Sequence, residues 1–184
     1  MKDSLTLIWL FLPMAVANMG PVIANNIPIM KRFNQPLDLG KTFRGKRIFG
    51  SHKTIRGILA GTIMGLLVVV IQVVLTSMFN WPESLSRGVD YSESSIMLMG
   101  LFMGFGAMAG DAIKSFFKRQ IGVEPGHSWV PFDQLDFVLG GFLASLPFFT
   151  LSIKLYALGI FLALVLHPTI NVIAWILRLQ DKPF

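Results

Sequence analysis

The sequence predicts an all-α integral membrane protein built as a single domain over residues 1–184. Hydrophobic residues make up 53% of the 184 residues, charged residues only 14%, and the mean hydropathy is +0.63. A water-soluble domain of this length needs more charge to cover its surface. Five apolar stretches and a one-sided distribution of Lys and Arg complete the prediction, which is five transmembrane helices.

The five apolar stretches are long enough to cross a bilayer. A helix needs about 20 mostly apolar residues for this, with about 17 as the lower limit. Pro13, Pro147 and Pro168 fall inside predicted spans, where neighbouring helices can satisfy the freed carbonyls. The first stretch is interpreted as a retained span, because no small-residue cleavage site clearly follows it. The predicted spans are Leu5–Val22, Ile55–Met78, Ile96–Ala112, Leu135–Ser152 and Tyr156–Leu177.

The distribution of basic residues predicts the orientation. Of the sixteen Lys and Arg, thirteen lie between span one and the first turn of span two (which includes Arg56), between spans three and four, or after span five. Lys and Arg are retained on the cytoplasmic side of membranes. We therefore expect the N-terminus outside and the C-terminus in the cytoplasm. The loops that join helices 1–2 and 3–4 then carry the functional groups on the cytoplasmic side.

Glycines recur in and beside spans two and three. Small residues let membrane helices approach each other closely, so we expect these glycines to mediate helix packing rather than to face a ligand. They are Gly57, Gly61, Gly65, Gly100, Gly104, Gly106 and Gly110.

The first cytoplasmic segment, Gly40–Gly57, alternates basic residues with glycines and hydroxyls. Such a segment can act only as a topology signal that attracts anionic lipid. The pattern favours more than that, because glycine lets backbone N–H groups approach a phosphate while Lys, Arg and hydroxyl groups donate to its oxygens. The order of residues is not that of a Walker loop. We expect a polyphosphate site here, beside the N-terminal end of the second span.

Three carboxylates mark the second cytoplasmic segment. Asp111 ends a glycine-rich apolar helix, and a carboxylate at membrane depth costs about 2.5–3.5 kcal/mol unless it has a partner or a function. Asp133 and Asp136 are three residues apart and share a helix face, although they would also suit the cap and first turn of that helix. Mg²⁺ prefers a few carboxylates plus substrate phosphates. Asp111, Asp133 and Asp136 fit that supply.

Other polar residues have two open interpretations. His127 is either a surface group or a general acid or base. Asn25 and Asn26 near the end of span one, and His167 and Asn171 inside span five, either pair with another helix or line a lipid-substrate cavity. The absence of cysteine excludes disulfides, zinc–thiolate sites and thiol nucleophiles.

Two motifs resemble the membrane CTP-transferases that make CDP-activated lipids. The phosphatidate cytidylyltransferase signature runs Gly-Asp, Ser-x-x-Lys-Arg, Lys-Asp, Pro-Gly-His-Gly-Gly, Asp-Arg-x-Asp. It is matched here by Gly110-Asp111, Ser115, Lys118-Arg119, Pro125-Gly126-His127 and Asp133-x-x-Asp136. The segment Ser51-His52-Lys53-Thr54-Ile55-Arg56-Gly57 is similar to the cytoplasmic Ser-Pro-Lys-Lys-Thr-x-Glu-Gly element of that family.

Departures from the signature are similar to the archaeal branch, the CDP-archaeol synthases. Glu124-Pro125 stands where Lys-Asp is expected, and Gln134 replaces Arg. The resemblance covers nearly the whole chain. It implies a single transmembrane domain in the cell membrane that transfers CMP from CTP to 2,3-bis-(O-geranylgeranyl)-sn-glycerol 1-phosphate and releases diphosphate.

The resemblance also implies residue roles. Mg²⁺ is expected on Asp111, Asp133 and Asp136, which are the expected catalytic residues. The phosphates of CTP are expected on a basic and hydroxyl set drawn from both loops. This set is Lys46, Arg47, Ser51, His52, Lys53, Thr54, Arg56, Lys114, Lys118 and Arg119.

Two alternative functions remain at this point. The same chemistry on phosphatidate would make CDP-diacylglycerol, and only the family pattern speaks against it. A non-enzymatic lipid-binding or transport protein would use the basic loop for anionic headgroups. Nucleic acid is not expected as a partner, because the cations lie in short loops at the membrane surface without stacking aromatics.

Overall fold

The computed structural model describes residues 2–86, 89–124 and 127–176; within these ranges the side chains of residues 2, 170, 171, 173 and 174 are not described. The chain is mostly helical. Its α-helices are α1 (Lys2–Ala17), α2 (Gly20–Asn25), α3 (Ile55–Met78), α4 (Ile96–Gln120), α5 (Phe132–Ser145) and α6 (Ile153–Ile176). Short 3₁₀ turns cover Pro28–Phe33 and Glu83–Leu85, and two strands, β1 (Thr42–Phe43) and β2 (Lys46–Arg47), pair as an antiparallel hairpin.

Among the described residues, three helical segments are long and apolar enough to cross a membrane: Asp3–Asn25, Ile55–Met78 and Ile96–Gln120. This confirms an integral membrane protein, and the second predicted span coincides with α3. Two further apolar helices follow: α5 is short, with 14 residues, and α6 has 24 residues.

The ends of the other helices differ from the predicted ends. Helix α4 continues eight residues past Ala112 to Gln120, so that its last two turns carry Lys114 and Lys118. Helix α5 ends at Ser145, and Pro147 lies in the following turn rather than inside a helix. Hydropathy did not mark this end because the residues after Ser145 remain apolar.

Helix α4 lies at the centre of the molecule and packs against α1, α3 and α5. Glycines make these contacts close. A Cβ added to Gly65 on α3 would lie 2.7 Å from the carbonyl oxygen of Gly100 on α4, and one added to Gly110 would overlap the carbonyl oxygen of Asp136 on α5. The prediction that the glycines serve helix packing is confirmed.

Pro13 leaves the carbonyl of Trp9 without its usual donor in α1, because proline has no N–H. Gln72, a buried residue of α3, fills the gap: its Nε2 donates to the Trp9 oxygen at 2.6 Å. A side chain of a neighbouring helix therefore satisfies the carbonyl that Pro13 frees, as the sequence predicted for prolines within spans.

We expect Gln72→Leu to lower the free energy of unfolding by about 1 kcal/mol, because the Trp9 carbonyl then has no donor in an apolar environment. In a Pro13→Ala background the loss should be smaller, since an alanine at that position supplies the missing backbone N–H within α1. Unfolding in detergent, followed by tryptophan fluorescence, measures both values.

Thr76→Val is the matched control, because its hydroxyl bonds to carbonyls of its own helix, α3. Its effect should be the same in both backgrounds. Equal losses for Gln72→Leu with and without Pro13 would contradict the proposed coupling.

Candidate functional site

The C-terminal end of α4 carries one face of the candidate site. Asp111, Lys114, Ser115 and Lys118 recur at helical spacing and so project on the same side. The Ser115 hydroxyl donates to the Asp111 carbonyl at 2.8 Å, which ties this side chain to its own helix. The extension of α4 past Ala112 is what brings both lysines to the site.

Helix α5 supplies the facing carboxylates. Asp133 and Asp136 lie in its first turns, on the side of α4, where Gly110 permits close approach. Asp133 does not cap α5, because the residue at the cap position is Pro131; its carboxylate accepts instead from the backbone N–H of Trp129.

One ammonium group joins the three carboxylates. Lys114 Nζ lies 3.1 Å from Asp111 Oδ1, 2.7 Å from Asp133 Oδ1 and 2.5 Å from Asp136 Oδ2. The Asp136 side chain is 4% exposed and that of Lys114 13% exposed, so these charges are largely removed from water. The convergence of Asp111, Asp133 and Asp136 that the sequence indicated is present in the structure.

Two more lysines complete this cluster. Lys53, from the segment before α3, forms an ion pair with Asp111. Lys118 Nζ lies 3.2 Å from Asp133 Oδ1 and donates to the His127 carbonyl at 2.5 Å. We call these six residues the carboxylate–lysine cluster. Three positive and three negative charges balance there, which is the condition for burying ionised groups together.

A polar cavity of about 380 Å³ opens beside the cluster. Its wall is strongly basic and draws on the first cytoplasmic segment, α4, α5 and α6. The Nε of Arg119 is buried and has no hydrogen-bond partner in the part of the chain that the structure describes. The lining residues are Phe49, Gly50, His52, Lys53, Lys114, Ser115, Lys118, Arg119, His127, Ser128, Val130, Asp133, Gln134 and His167.

An apolar groove of about 570 Å³ runs between α4 and α5. Its wall is almost entirely apolar, including Phe102, Ala109, Leu139 and Leu143, and Lys114 and Asp136 are the charged residues in it. Lys114 also lines the polar cavity. The two cavities therefore share a boundary at this lysine.

The first cytoplasmic segment delivers only part of the predicted phosphate set to the polar cavity. Lys53 and His52 line it, but Lys46 Nζ donates to the Gln120 carbonyl at the end of α4, and Arg47 pairs with Asp38. Both basic residues stabilise the hairpin and its docking instead.

Three further residues of that set lie at the start of α3. Thr54 caps the helix by accepting from the Gly57 N–H at 3.1 Å, as an N-cap residue does. Arg56 donates to the Asn25 side chain, which joins α2 to α3. Ser51 is exposed and is not part of the cavity wall.

The polar residues near spans one and five divide between sites. Asn25 pairs with Arg56, and Asn26 ends α2, where its backbone N–H donates to carbonyls of that helix. His167 lines the polar cavity rather than the apolar groove, and its Nδ1 is buried without a partner among the described residues. The side chain of Asn171 lies outside the described residues.

Sequence reasoning missed Asp38 and Gln134. Gln134 is 6% exposed, and it was considered only as a departure from a motif. Asp38 is a lone carboxylate in a basic segment, and that contrast was the available signal. Its buried carboxylate accepts from Arg47 and three backbone N–H groups.

Within residues 2–86, 89–124 and 127–176, no group of three His, Asp or Glu side chains has the geometry to hold a metal ion by itself. The three carboxylates of the cluster surround the Lys114 ammonium instead. They supply the oxygen ligands that Mg²⁺ prefers, and bound phosphates would have to complete its coordination.

Comparisons with known proteins agree over nearly the full length. The family model described as "CarS-like: CDP-archaeol synthase" matches residues 2–184. The chain is 36% identical to the CDP-archaeol synthase of Archaeoglobus fulgidus, with 96% of each chain covered, and 32% identical to that of Pyrococcus furiosus, with 100% of each covered. A solved structure described as an intramembrane enzyme for archaeal membrane lipids biosynthesis is also similar. Its TM-score is 0.70 at 30% identity, with 90% of this chain and 92% of that one covered.

We expect Lys114→Met to lower the free energy of unfolding by about 3–5 kcal/mol, because three carboxylates then share a poorly solvated space without their common cation. Adding Asp136→Asn should restore part of the loss, since it removes one of the repelling charges. Denaturant unfolding of the purified protein in detergent measures both effects.

Lys41→Met is the matched control, because Lys41 is an exposed residue of the same basic surface and its side chain forms no ion pair with the carboxylates of the cluster. Its effect should stay within about 0.5 kcal/mol. A Lys114→Met protein as stable as the wild type would contradict the structural role of the lysine.

Proposed function

The chain belongs to the CDP-archaeol synthase family, and we propose that the carboxylate–lysine cluster is the centre at which it joins a nucleotide to a lipid. The protein is a cytidylyltransferase of the cell membrane. It transfers CMP from CTP to 2,3-bis-(O-geranylgeranyl)-sn-glycerol 1-phosphate and releases diphosphate, in the synthesis of archaeal membrane phospholipids.

The observation that carries the assignment of the site is the position of Lys114 between two cavities of opposite character. A polar, basic cavity suits a nucleoside triphosphate, and an apolar groove suits isoprenoid chains. The reaction needs these two substrates to meet at their phosphates. Lys114 lies at the boundary of the two cavities, where the two phosphates would meet.

The polar cavity binds the triphosphate of CTP. Lys53, Lys118 and Arg119 line it, and the buried Arg119 Nε, which has no partner among the described residues, would donate to a phosphate oxygen. Arginine and lysine donors in a site that excludes water also stabilise the charge that develops as the diphosphate leaves.

The apolar groove between α4 and α5 binds the geranylgeranyl chains, which enter sideways from the cytoplasmic leaflet. The lipid phosphate then lies next to Lys114 at the polar end of the groove. Holding both phosphates in one place supplies much of the rate enhancement, because the attack becomes effectively unimolecular.

The transfer needs no side chain to activate the nucleophile. A phosphate monoester is already largely ionised at neutral pH, since its second pKa is about 6. One of its oxygens forms a bond to the α-phosphorus of CTP while the bond from that phosphorus to the β-bridging oxygen breaks. The electron pair leaves with diphosphate, and the cations of the cavity neutralise the charge.

Mg²⁺ is the proposed cofactor, and Asp111, Asp133 and Asp136 are the residues that would hold it. The fit rests on chemistry: their oxygens already surround one cationic group, and Mg²⁺ prefers a few carboxylates together with substrate phosphates. When bound, the ion would neutralise the charge of the reacting phosphates.

The proposed membrane arrangement has five spans, with α5 as the short fourth span and α6 as the fifth. The N-terminus lies outside and the C-terminus in the cytoplasm. The basic wall of the polar cavity and the basic hairpin then lie on the cytoplasmic side, where CTP is available. The cationic bias of the loops supports this orientation.

The purified protein should transfer label from CTP to the geranylgeranyl ether lipid phosphate in the presence of Mg²⁺, and EDTA should abolish the transfer. Phosphatidate, offered separately, should accept much less. Asp133→Asn and Asp136→Asn should each lower turnover by at least about a hundredfold, because they remove proposed metal ligands. Thin-layer separation of the labelled lipids measures transfer, and tryptophan fluorescence on heating checks folding.

Asp90→Asn is the matched control, because Asp90 lies in the loop between α3 and α4 and its carboxylate bonds to Ser92 of the same loop. It should keep wild-type turnover. Near-normal turnover of both cluster variants would refute the metal assignment. Label found only in phosphatidate would keep the chemistry and change the lipid substrate.

Ala109→Phe should raise the KM for the lipid about tenfold or more and leave the KM for CTP nearly unchanged, because the added ring fills the apolar groove. Initial rates with each substrate varied in turn measure the two constants.

Ala157→Phe makes the same change at an exposed position of α6 that does not line the groove. Its KM values should match those of the wild type. A lipid KM that Ala109→Phe does not change would exclude this groove as the chain-binding site.

A further inference from the structure

Asp38 is a carboxylate that accepts five hydrogen bonds, and it lies outside the carboxylate–lysine cluster. Its side chain is fully buried. Arg47 donates to it twice, from Nη2 at 2.5 Å and from Nε at 3.1 Å. The backbone N–H groups of Gly40, Phe49 and Gly50 each donate at 3.0 Å.

Two of these donors belong to the wall of the polar cavity. Phe49 and Gly50 both line it. Gly50 has φ +90°, a conformation that other residues adopt only with strain, and its backbone packs against Arg119: a Cβ added there would lie 3.6 Å from Arg119 Cδ. Asp38 thus fixes the backbone of Phe49 and Gly50, against which Arg119 packs.

The residues before Asp38 fix the chain on the other side of this segment, at Lys53 and Ile55. Leu37 N–H donates to the Lys53 carbonyl at 2.8 Å, and Ile55 N–H donates to the Gln35 carbonyl at 3.0 Å. Lys53 is the lysine of this segment that reaches Asp111. The chain from residue 49 to residue 53 is therefore fixed at both ends by residues 35–38.

The Asp38 carboxylate stays ionised at neutral pH, because its pKa is lowered. Burial raises the pKa of Asp38, but the bond from Arg47 and the bonds from Phe49, Gly40 and Gly50 outweigh burial and hold its pKa well below the usual range. The charged carboxylate can therefore accept the hydrogen bonds of all its donors at once.

We infer that Asp38 is a positioning residue for the nucleotide: through the backbone of Phe49 and Gly50 it sets the part of the polar cavity that presents Arg119 and Lys53 to the triphosphate. It touches neither substrate. This inference rests on the proposed function only in naming CTP as the occupant of the cavity. A residue that merely stabilised the fold would change the amount of active protein, whereas a positioning residue changes the affinity for CTP.

Asp38→Asn tests the inference with little change in size. The variant loses the charge and places an amide NH₂ where N–H donors or the guanidinium need an acceptor. We expect the KM for CTP and its Kd, measured by calorimetry with the full-length protein in detergent, to rise about tenfold. The kcat and the KM for the lipid phosphate should stay within about twofold of wild type.

Gly50→Ala is a second, independent variant that disturbs the backbone of Phe49 and Gly50 through strain and contact with Arg119. It should raise the KM and Kd for CTP in the same direction, which keeps the inference testable if Asp38→Asn does not fold. Asp90→Asn, which changes a carboxylate bonded within its own loop, should bind CTP as the wild type does.

The possible results distinguish a failure of this inference from a failure of the proposed function. Wild-type CTP affinity in Asp38→Asn or in Gly50→Ala would overturn the inference, and so would an equal rise in the KM of both substrates. If the wild-type protein binds CTP but transfers no CMP, the proposed function fails while the CTP affinity of the two variants still decides the role of Asp38.

Discussion

The structure depends on the mutual neutralisation of three carboxylates and three lysines where the C-terminal end of α4 meets the N-terminal end of α5. A carboxylate near membrane depth is costly unless a cation accompanies it. Lys114 meets Asp111, Asp133 and Asp136 at once, so one ammonium joins α4 to α5, while Lys53 joins the first cytoplasmic segment to the same group. The charges of the proposed reaction centre are therefore also the charges that hold the helix ends together. Such a centre can accept a highly charged substrate, because the lysines that neutralise the carboxylates can also donate to phosphate oxygens.

Close helix packing makes this arrangement possible. Asp136 reaches Lys114 because Gly110 leaves room for the backbone of α5 against α4. Without small residues, the helices would stand farther apart and the ion pairs would lengthen. The bond from Gln72 to the Trp9 carbonyl follows the same logic farther from the site, where a buried polar group freed by Pro13 is satisfied from the neighbouring helix. In both places a group that would be costly in an apolar environment determines which helices must touch.

Much of this could be predicted from the sequence, and the rest could not for definite reasons. The limits of α3 followed from an uninterrupted apolar run. The three carboxylates followed from the cost of Asp111 at membrane depth and from the shared helix face of Asp133 and Asp136. The early end of α5 was missed because the chain stays apolar beyond Ser145. Lys46 and Arg47 were expected on phosphates because their charge and glycine neighbours fit that use. Their actual partners, the Gln120 carbonyl and Asp38, come from tertiary contacts that local patterns do not encode. The shared position of Lys114 was hidden for the same reason, since the spacing on α4 does not reveal which residues of α5 face it.

The two cavities explain why the chemistry belongs at the edge of the membrane rather than in either phase alone. CTP carries several charges and needs a basic cavity open to the cytoplasm, whereas the geranylgeranyl chains need a groove continuous with the lipid. A site that held both in one phase would have to bury the triphosphate in hydrocarbon or expose the chains to water, and both are costly. In the proposed arrangement, Lys114 on the boundary of the two cavities avoids this choice, because each substrate stays in its own environment and only the phosphates meet. The small size of the protein is consistent with this division. The membrane orients the lipid, so the chain needs only to build the cationic wall, the groove and the few residues, such as Asp38, that hold the wall in shape.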